Sequence, residues 1–331
     1  MMRTARRWVF GVFISMAMSA VLAMPIEMGA CVHLWRKATD PLMVERAMAQ
    51  TRLTSWRDSV PWAQVETHKG VYTMPPAFVP LLKQIDNARQ HGVYPMLILG
   101  YGNPLYEPGG LVTTSVAREG FANYARWIAT RMKDKVRYYE IWNEWNNGFG
   151  STTKPRTIGS VEDYAKLVRA AAMAIHEIDP QAVVIAGGAT NSDTRWFEAF
   201  AQTHALSAIN GVSIHPYNYG KPLWGHTPEA AMEWVDQIEQ IMAKANGHPV
   251  DMYITEIGWP TNTKDYSEDT VADYLTRFMK LAQVREYVRG VWWYDLVDDG
   301  SDLNNREDRF GLFRQDGRPK PAALRMADFD R

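Results

Sequence analysis

The stretch VRYYEIWNE, Val136 to Glu144, is an apolar, β-prone run that ends on a carboxylate. A run that is continuous rather than alternating fits a strand covered on both faces, as in a parallel sheet. Further β-prone runs are IEMGACVH (26–33), RLTSWR (52–57), VYPMLILG (93–100), AVVIAGG (182–188), GVSIHPY (211–217), DMYITEIGW (251–259) and GVWWYDLV (290–297). Longer helical stretches separate them. Several start on recognisable caps: Asp40 before Pro41, Ser160 followed by Asp163, Thr227 before Pro228, and Ser267 ahead of EDTVADYLTRFMKLAQV.

Strand and helix alternate with no linker, low-complexity stretch or break in composition, which predicts one domain. Eight β/α units match a (β/α)8 barrel, a fold that typically takes about 250 residues and tolerates insertions. The alternative, an open doubly wound sheet, calls for a glycine-rich phosphate turn after the first strand, and IEMGACVH is not followed by one. The predicted architecture is therefore α/β: a single-domain (β/α)8 TIM barrel over residues 24–331, behind an N-terminal segment of different character.

That segment, residues 1–23, carries Arg3, Arg6 and Arg7, then an apolar stretch from Trp8 to Leu22, then small residues before Pro25 and Glu27. This is the layout of a secretory signal peptide cleaved after Ala23. The pair Arg6-Arg7 also permits a twin-arginine route, and left uncleaved the segment would be a membrane anchor. The expected location is outside the cytoplasm, periplasmic or extracellular, with membrane association only through an uncleaved segment. A formal net charge of -1 on 331 residues gives no polyelectrolyte character to attract nucleic acid. The single cysteine, Cys31, cannot form an internal disulfide and reads as a buried strand thiol. A monomer is expected.

In such a barrel functional residues sit at the C-terminal ends of strands. The second strand ends in WRDSVPW, the fourth in WNEWN, the sixth in HPYNY, the seventh in TEIGWP and the eighth in WWYDLVDDG. Two of these ends place a glutamate near tryptophan: Glu144 and Glu256. Strands four and seven face each other across the barrel mouth, so both carboxylates can address one bond. Glycoside hydrolysis requires that pair, one protonated to release the leaving oxygen and one ionised to attack or stabilise an oxocarbenium-like centre. The 13 tryptophans and 15 tyrosines offer flat faces suited to pyranose rings. Adjacent strand residues face opposite ways, so one of Trp292 and Trp293 is expected to line the site.

YEIWNE with ITEIGWP, HPY and the closing RFGLFRQDGRPKPAA resembles the clan of retaining β-glycosidases built on (β/α)8 barrels, whose acid/base ends strand four and whose nucleophile ends strand seven. Within it the chain is most similar to the family 39 and family 5 type glycosidases of bacteria, particularly those acting on cell-surface exopolysaccharides. The resemblance runs from WRDSVPWAQVETHKGVY to KPAA, nearly all of the mature chain. It implies Glu144 as acid/base, Glu256 as nucleophile and Asn143 on the sugar 2-hydroxyl. It further implies Arg57 as a charge keeping Glu256 ionised, with His215 and Tyr217 at the strand-six end, Tyr217 touching the nucleophile. A tryptophan after strand eight would floor the sugar ring. The sequence has NEWN where a proline commonly follows the glutamate, which bears on the leaving-group side and so on substrate class.

Other polar residues carry plainer readings. Glu140 shares the strand parity of Glu144 one layer deeper and is expected as an interior ion-pair partner. DLVDDGSDLNNRED lacks calcium-loop spacing and reads as a solvated loop over the cleft. His33 ends strand one and either contacts sugar or packs. The histidine spacings imply no metal, and no cofactor is expected. The expected substrate is a polysaccharide or oligosaccharide. Trp35, Trp62, Trp145, Tyr219, Trp259 and Trp292 near strand ends favour an endo-acting groove, with Trp145 and Trp259 counted among substrate-binding residues. The alternatives are an exo-acting β-glycosidase, a sugar-binding protein on a dead barrel, and a membrane-anchored partner of a polysaccharide assembly machine.

Overall fold

The computed structural model describes residues 26–35, 39–190, 194–220 and 225–329; the expected signal peptide at 1–23 lies outside them. The strands are β1 (Glu27–Cys31), β2 (Ser55–Pro61), β3 (Met96–Gly100), β4 (Tyr138–Ile141), β5 (Val183–Thr190), β6 (Gly211–His215), β7 (Met252–Ile257) and β8 (Val288–Trp293). They pair in parallel in chain order, and β8 closes on β1 with Trp292 opposite Gly29. The (β/α)8 barrel expected from the alternation of runs is the fold.

The returning helices are α1 (Pro41–Thr51), the short α2 (Trp62–Val65), α3 (Val79–Gln90), α4 (Ser115–Met132), α5 (Val161–Ile178), α6 (Thr194–Gln202), α7 (Pro228–Asn246) and α8 (Glu268–Gln283). A last helix, α9 (Pro321–Ala327), packs on α8 and α1. Each cap read from the sequence is made: Asp40 accepts from Leu42 N–H, Ser160 from Asp163, Thr227 from Ala230 and Ser267 from Thr270. A cap of this kind stabilises its helix by roughly 1 kcal/mol. β2 begins later than RLTSWR implied, because Arg52 adopts φ 56 and serves as the left-handed C-cap of α1. Among the described residues no helix is long and apolar enough to cross a membrane.

The core is divided by the barrel wall. The larger part lies between strands and helices and takes Trp56, Trp62, Trp145, Trp259 and Trp293. The smaller plugs the barrel interior with Met96, Tyr138, Ile185, Tyr253 and Trp292. Trp292 reaches across to β2, its Nε1 donating to Ser55 Oγ at 2.9 Å. Its indole fits only because β1 has a glycine beside it: a Cβ on Gly29 would stand 2.2 Å from Trp292 Cδ1. That atom belongs to a rigid ring wedged among other side chains, so it has little room to yield. Gly29→Ala is accordingly expected to destabilise the fold by about 1–3 kcal/mol through overpacking, measured as a lower midpoint in denaturant.

Candidate active site

Arg57, pointing inward from β2, organises the mouth of the barrel. Its Nε donates to Glu140 Oε2 at 2.7 Å, its Nη1 to Glu256 Oε1 at 2.6 Å and its Nη2 to Asn143 Oδ1 at 2.7 Å. A guanidinium only donates, so the Asn143 atom facing it is the carbonyl, and the amide NH2 is turned away from Arg57. Glu140 is wholly buried, and its second oxygen accepts from the Thr255 hydroxyl at 2.8 Å. The interior ion-pair role read for Glu140 matches this placement.

Glu256 and Glu144 reach the same cluster by breaking the regular pattern of their strands. Glu256 directly follows Thr255, yet both side chains enter one cluster, Thr255 meeting Glu140 and His215 and Glu256 meeting Arg57 and His215, which strict alternation forbids. The β7–β8 register shifts between Ile254 and Ile257, an irregularity of the kind that re-aims a side chain. Beyond β4 the chain turns through two left-handed residues, Trp142 at φ 69 and Glu144 at φ 49. Such conformations cost energy for bulky residues and persist only where surroundings enforce them. Here the Glu144 N–H is held by the Gly188 carbonyl at 2.9 Å. β5 makes room with a bulge at Gly187 and Gly188, where a Cβ on Gly187 would sit 2.4 Å from the Ser213 carbonyl oxygen.

Glu256 accepts from Arg57 on one oxygen and from the Tyr217 hydroxyl on the other at 3.0 Å. His215 is fully buried, with Nδ1 3.1 Å from Glu144 Oε1 and 3.7 Å from Glu256 Oε2. One oxygen of each glutamate and a ring nitrogen of His215 all lie within 4.8 Å of one another. Burial pushes the Glu256 carboxyl up, but the charges of His215 and Arg57 outweigh it and hold the carboxyl below its ordinary range. Burial pushes His215 down, and the Glu256 charge with the bond to Glu144 raises it above its ordinary value.

Residues 115–323, more than half the chain and including both glutamates, match the family model for the glycosyl hydrolase catalytic core. The chain belongs to that family. Among solved structures this glycosyl hydrolase core is similar to a family 39 glycoside hydrolase from the gut symbiont Bacteroides cellulosilyticus WH2, at 25% identity and a TM-score of 0.73. That match covers 92% of this chain and 64% of the other, so the chain spans under two thirds of that enzyme's length. It is similar in fold to a monomeric β-xylosidase from Caulobacter crescentus CB15, with 17% identity, TM-score 0.68 and 91% and 67% of the two chains covered. A GH5_18 protein from Streptomyces cattleya in complex with GlcNAc gives 18% identity, TM-score 0.71 and coverage of 93% and 80%. No curated protein sequence matches the chain.

Above the two glutamates of the glycosyl hydrolase core lies a cleft of about 490 Å³, which Arg57, Asn143 and Tyr217 also line. Trp35 lines it as expected, but Trp145, Trp259, Trp292 and Trp293 are elsewhere. Trp292 plugs the barrel floor, and Trp293, on the opposite face of β8, packs on Trp259 with ring centres 5.9 Å apart. Trp259 is itself buried, donating to Asn218 Oδ1 and to the His226 carbonyl, both at 3.0 Å. Trp145 is buried beneath the turn after β4 and donates to the Ser160 carbonyl at 3.0 Å. Alternation separated Trp292 from Trp293 correctly, but depth along the strand was misjudged. Two residues beyond Trp292, Tyr294 arrives at the level of the cleft. The aromatic rim is the expected Trp35 and Tyr219 together with Tyr101, Phe149 and Phe310.

Thr255, Tyr294 and Asn147, whose Nδ2 donates to Glu144 Oε2 at 3.3 Å, were not singled out in the sequence. Tyr294 carried a signal, since it shares the face of Trp292 one step nearer the strand end. Thr255 carried none, because its contact depends on the β7 irregularity. His33 lines the cleft with Nε2 3.4 Å from Asp295 and Nδ1 3.2 Å from Asp299. Burial works against its charge, but Asp295 and Asp299 raise it to about 9, while burial lifts Asp295 itself to about 7. His33, Asp295 and Asp299 also have the composition of a metal-binding group, with their ligand atoms within 4.8 Å of one another. The acidic loop is less solvated than expected: Asp295 is buried, and Asp298 is buried between Lys320 at 2.6 Å and Arg309 at 2.8 Å.

Arg57→Lys tests the organising role of the guanidinium, because an ammonium on a shorter, unbranched head cannot reach all of Glu140, Glu256 and Asn143. Leaving buried oxygens unpaired is expected to lower stability by about 3–5 kcal/mol. The part that Glu256 contributes through its depressed carboxyl is present above an unfolded value of about 4.3 and is lost as pH falls through the lower folded value. Denaturant titrations of both proteins from pH 7 to pH 3 should therefore show less acid-dependent loss in Arg57→Lys.

Proposed function

We propose that this member of the glycosyl hydrolase catalytic core family is a retaining β-glycosidase with Glu144 as acid/base and Glu256 as nucleophile. The observation that carries the proposal is the approach of the two carboxylates, with oxygens within 4.8 Å of each other. Carboxyl groups about 5–5.5 Å apart allow direct attack on the anomeric carbon, whereas an inverting enzyme needs roughly 6.5–9.5 Å to admit a water. The environments differ in the sense the roles require. Glu256 is held ionised by Arg57 and Tyr217, so it is the group able to attack. Glu144 faces an imidazole nitrogen and an amide, partners compatible with carrying a proton.

In the first step Glu256 bonds to the anomeric carbon as the glycosidic C–O bond breaks, and the leaving oxygen takes the proton of Glu144. In the second, water attacks the glycosyl–enzyme ester while Glu144 takes its proton, restoring both carboxyls. The Asn143 NH2, set by Arg57, is placed to hold a sugar hydroxyl as charge develops on the ring.

The finer reading is an endo-acting enzyme on a β-linked polysaccharide of a bacterial surface, outside the cytoplasm. Its support is the aromatic rim contributed by loops after several different strands, including Trp35, Phe149 and Tyr219, and the signal-like sequence of residues 1–23. A platform for several rings suits a long chain, whereas a blocked pocket suits a chain end.

Proton NMR of early products should show the β anomer first; an α anomer appearing first would remove the retaining assignment. Glu256→Ala with azide should give an α-glycosyl azide, and Glu144→Ala with azide a β-glycosyl azide from substrates whose leaving group needs no proton. Exchange of those two outcomes would exchange the roles. Turnover of unactivated substrates by Glu144→Ala should fall by about 10²–10⁴-fold. On a long β-linked polymer, polymer length should fall early; release of single sugars without that fall would make the enzyme exo-acting.

A further inference from the structure

We infer that Thr255 is a positioning residue of this reaction: it fixes the tautomer of His215 so that Nδ1 shares a single proton with Glu144. The inference rests on the acid/base role proposed for Glu144 and adds how the acid is kept loaded.

The argument is a count of hydrogens. Glu140 accepts from Arg57 on one oxygen and from Thr255 Oγ1 at 2.8 Å on the other. A carboxylate beside a guanidinium accepts only, so the one hydrogen of the Thr255 hydroxyl is committed to Glu140. The same Oγ1 lies 3.0 Å from His215 Nε2. With its hydrogen committed, Thr255 must accept there, and Nε2 must carry the hydrogen. In the neutral ring Nδ1 is then a bare lone pair, 3.1 Å from Glu144 Oε1.

Two acceptors cannot bond to each other, so a proton stands between Nδ1 and Glu144. Glu256, though 3.7 Å from Nδ1, does not need it, because Arg57 and Tyr217 already donate to both of its oxygens. In the opposite tautomer, Nδ1–H would satisfy an ionised Glu144 with no proton on the carboxyl, and the acid needed for leaving-group departure would be missing. The charged and titratable groups around the imidazole are Glu144 from the β4 end, Glu256 from β7, Arg57 from β2, Glu140 through Thr255, and Tyr217 after β6. The two glutamates raise the ring's affinity for a proton and Arg57 lowers it.

The Thr255 oxygen is removed in Thr255→Val and kept in Thr255→Ser. A second route to the same change is Glu140→Gln, whose amide turns its carbonyl to Arg57 and its NH2 to Thr255. That releases the hydroxyl hydrogen to donate to Nε2 and reverses the relay. Nitrogen NMR of 15N-histidine-labelled protein, at a pH where His215 is neutral, should show Nε2–H in the wild type and in Thr255→Ser. Thr255→Val and Glu140→Gln should move toward Nδ1–H.

On a β-glycoside that needs leaving-group protonation, kcat/KM should fall by about 10–100-fold in Thr255→Val, with its alkaline limb shifted to lower pH. Thr255→Ser should recover most of the loss. An activated aryl glycoside, whose leaving group departs unprotonated, should change by less than about 3-fold. An Nδ1–H tautomer in the wild type overturns the inference, as does an equal loss on both substrates with the alkaline limb unmoved. A wild type that cleaves no glycoside would instead remove the glycosidase reading, and the NMR tautomer would still decide the role of Thr255 in loading Glu144.

Discussion

Arg57 joins β2, β4 and β7 through one planar group, and the chemistry at the barrel mouth depends on that junction. Glu140 and Glu256 are both buried, and two buried carboxylates without a counter-charge would cost several kcal/mol each and take up protons instead. A guanidinium resolves this because its donors diverge in a fixed fork and it stays charged. Cys31 lies beneath the same group, its Sγ 3.7 Å from Arg57 Nη1. The outcome is a Glu256 held ionised by geometry that the strands supply directly. The orientation of these carboxylates and the stability of the upper barrel therefore share an origin.

Regularity is lost at the mouth. Below Arg57 the strands, apart from a register shift of β7 against β8 between Met252 and Tyr253, pack a plug of Met96, Tyr138, Ile185, Tyr253 and Trp292. At the level of the glutamates, β5 bulges at Gly187 and Gly188, β7 slips against β8, and the chain after β4 runs through left-handed Trp142 and Glu144. Each departure delivers a polar group that a regular strand would have aimed elsewhere. Local rules failing together at one place is the pattern expected of a functional site.

The tryptophan-rich composition serves the fold more than the cleft. Trp145, Trp259 and Trp293 are buried between barrel and helices and Trp292 inside the barrel, with indole N–H groups of Trp145, Trp259 and Trp292 satisfied internally. A residue of that size buries much apolar area, so the ground between barrel and helices is where it contributes most. The cleft is left to Trp35 with tyrosines and phenylalanines on loops.

Much of this was legible in the chain. Continuous β-prone runs, separated by capped helices at regular spacing, determined the class, because strands buried on both faces need covering helices, and the lack of a glycine-rich turn after the first strand favoured a closed (β/α)8 barrel over an open sheet. The same periodicity placed Glu144 and Glu256 at facing strand ends, and the resemblance to the glycosidase clan picked out Arg57, Asn143, His215 and Tyr217 beside them. Only the tertiary structure decided which aromatic rings face the cleft, why the adjacent Thr255 and Glu256 both reach His215, and how His215 is oriented. Those depend on depth along a strand, on bulges and on the hydrogen balance of a hydroxyl. None is periodic, and each is settled by residues distant in sequence: Glu140 lies on β4 and Thr255 on β7, yet one hydrogen between them sets the state of an imidazole on β6.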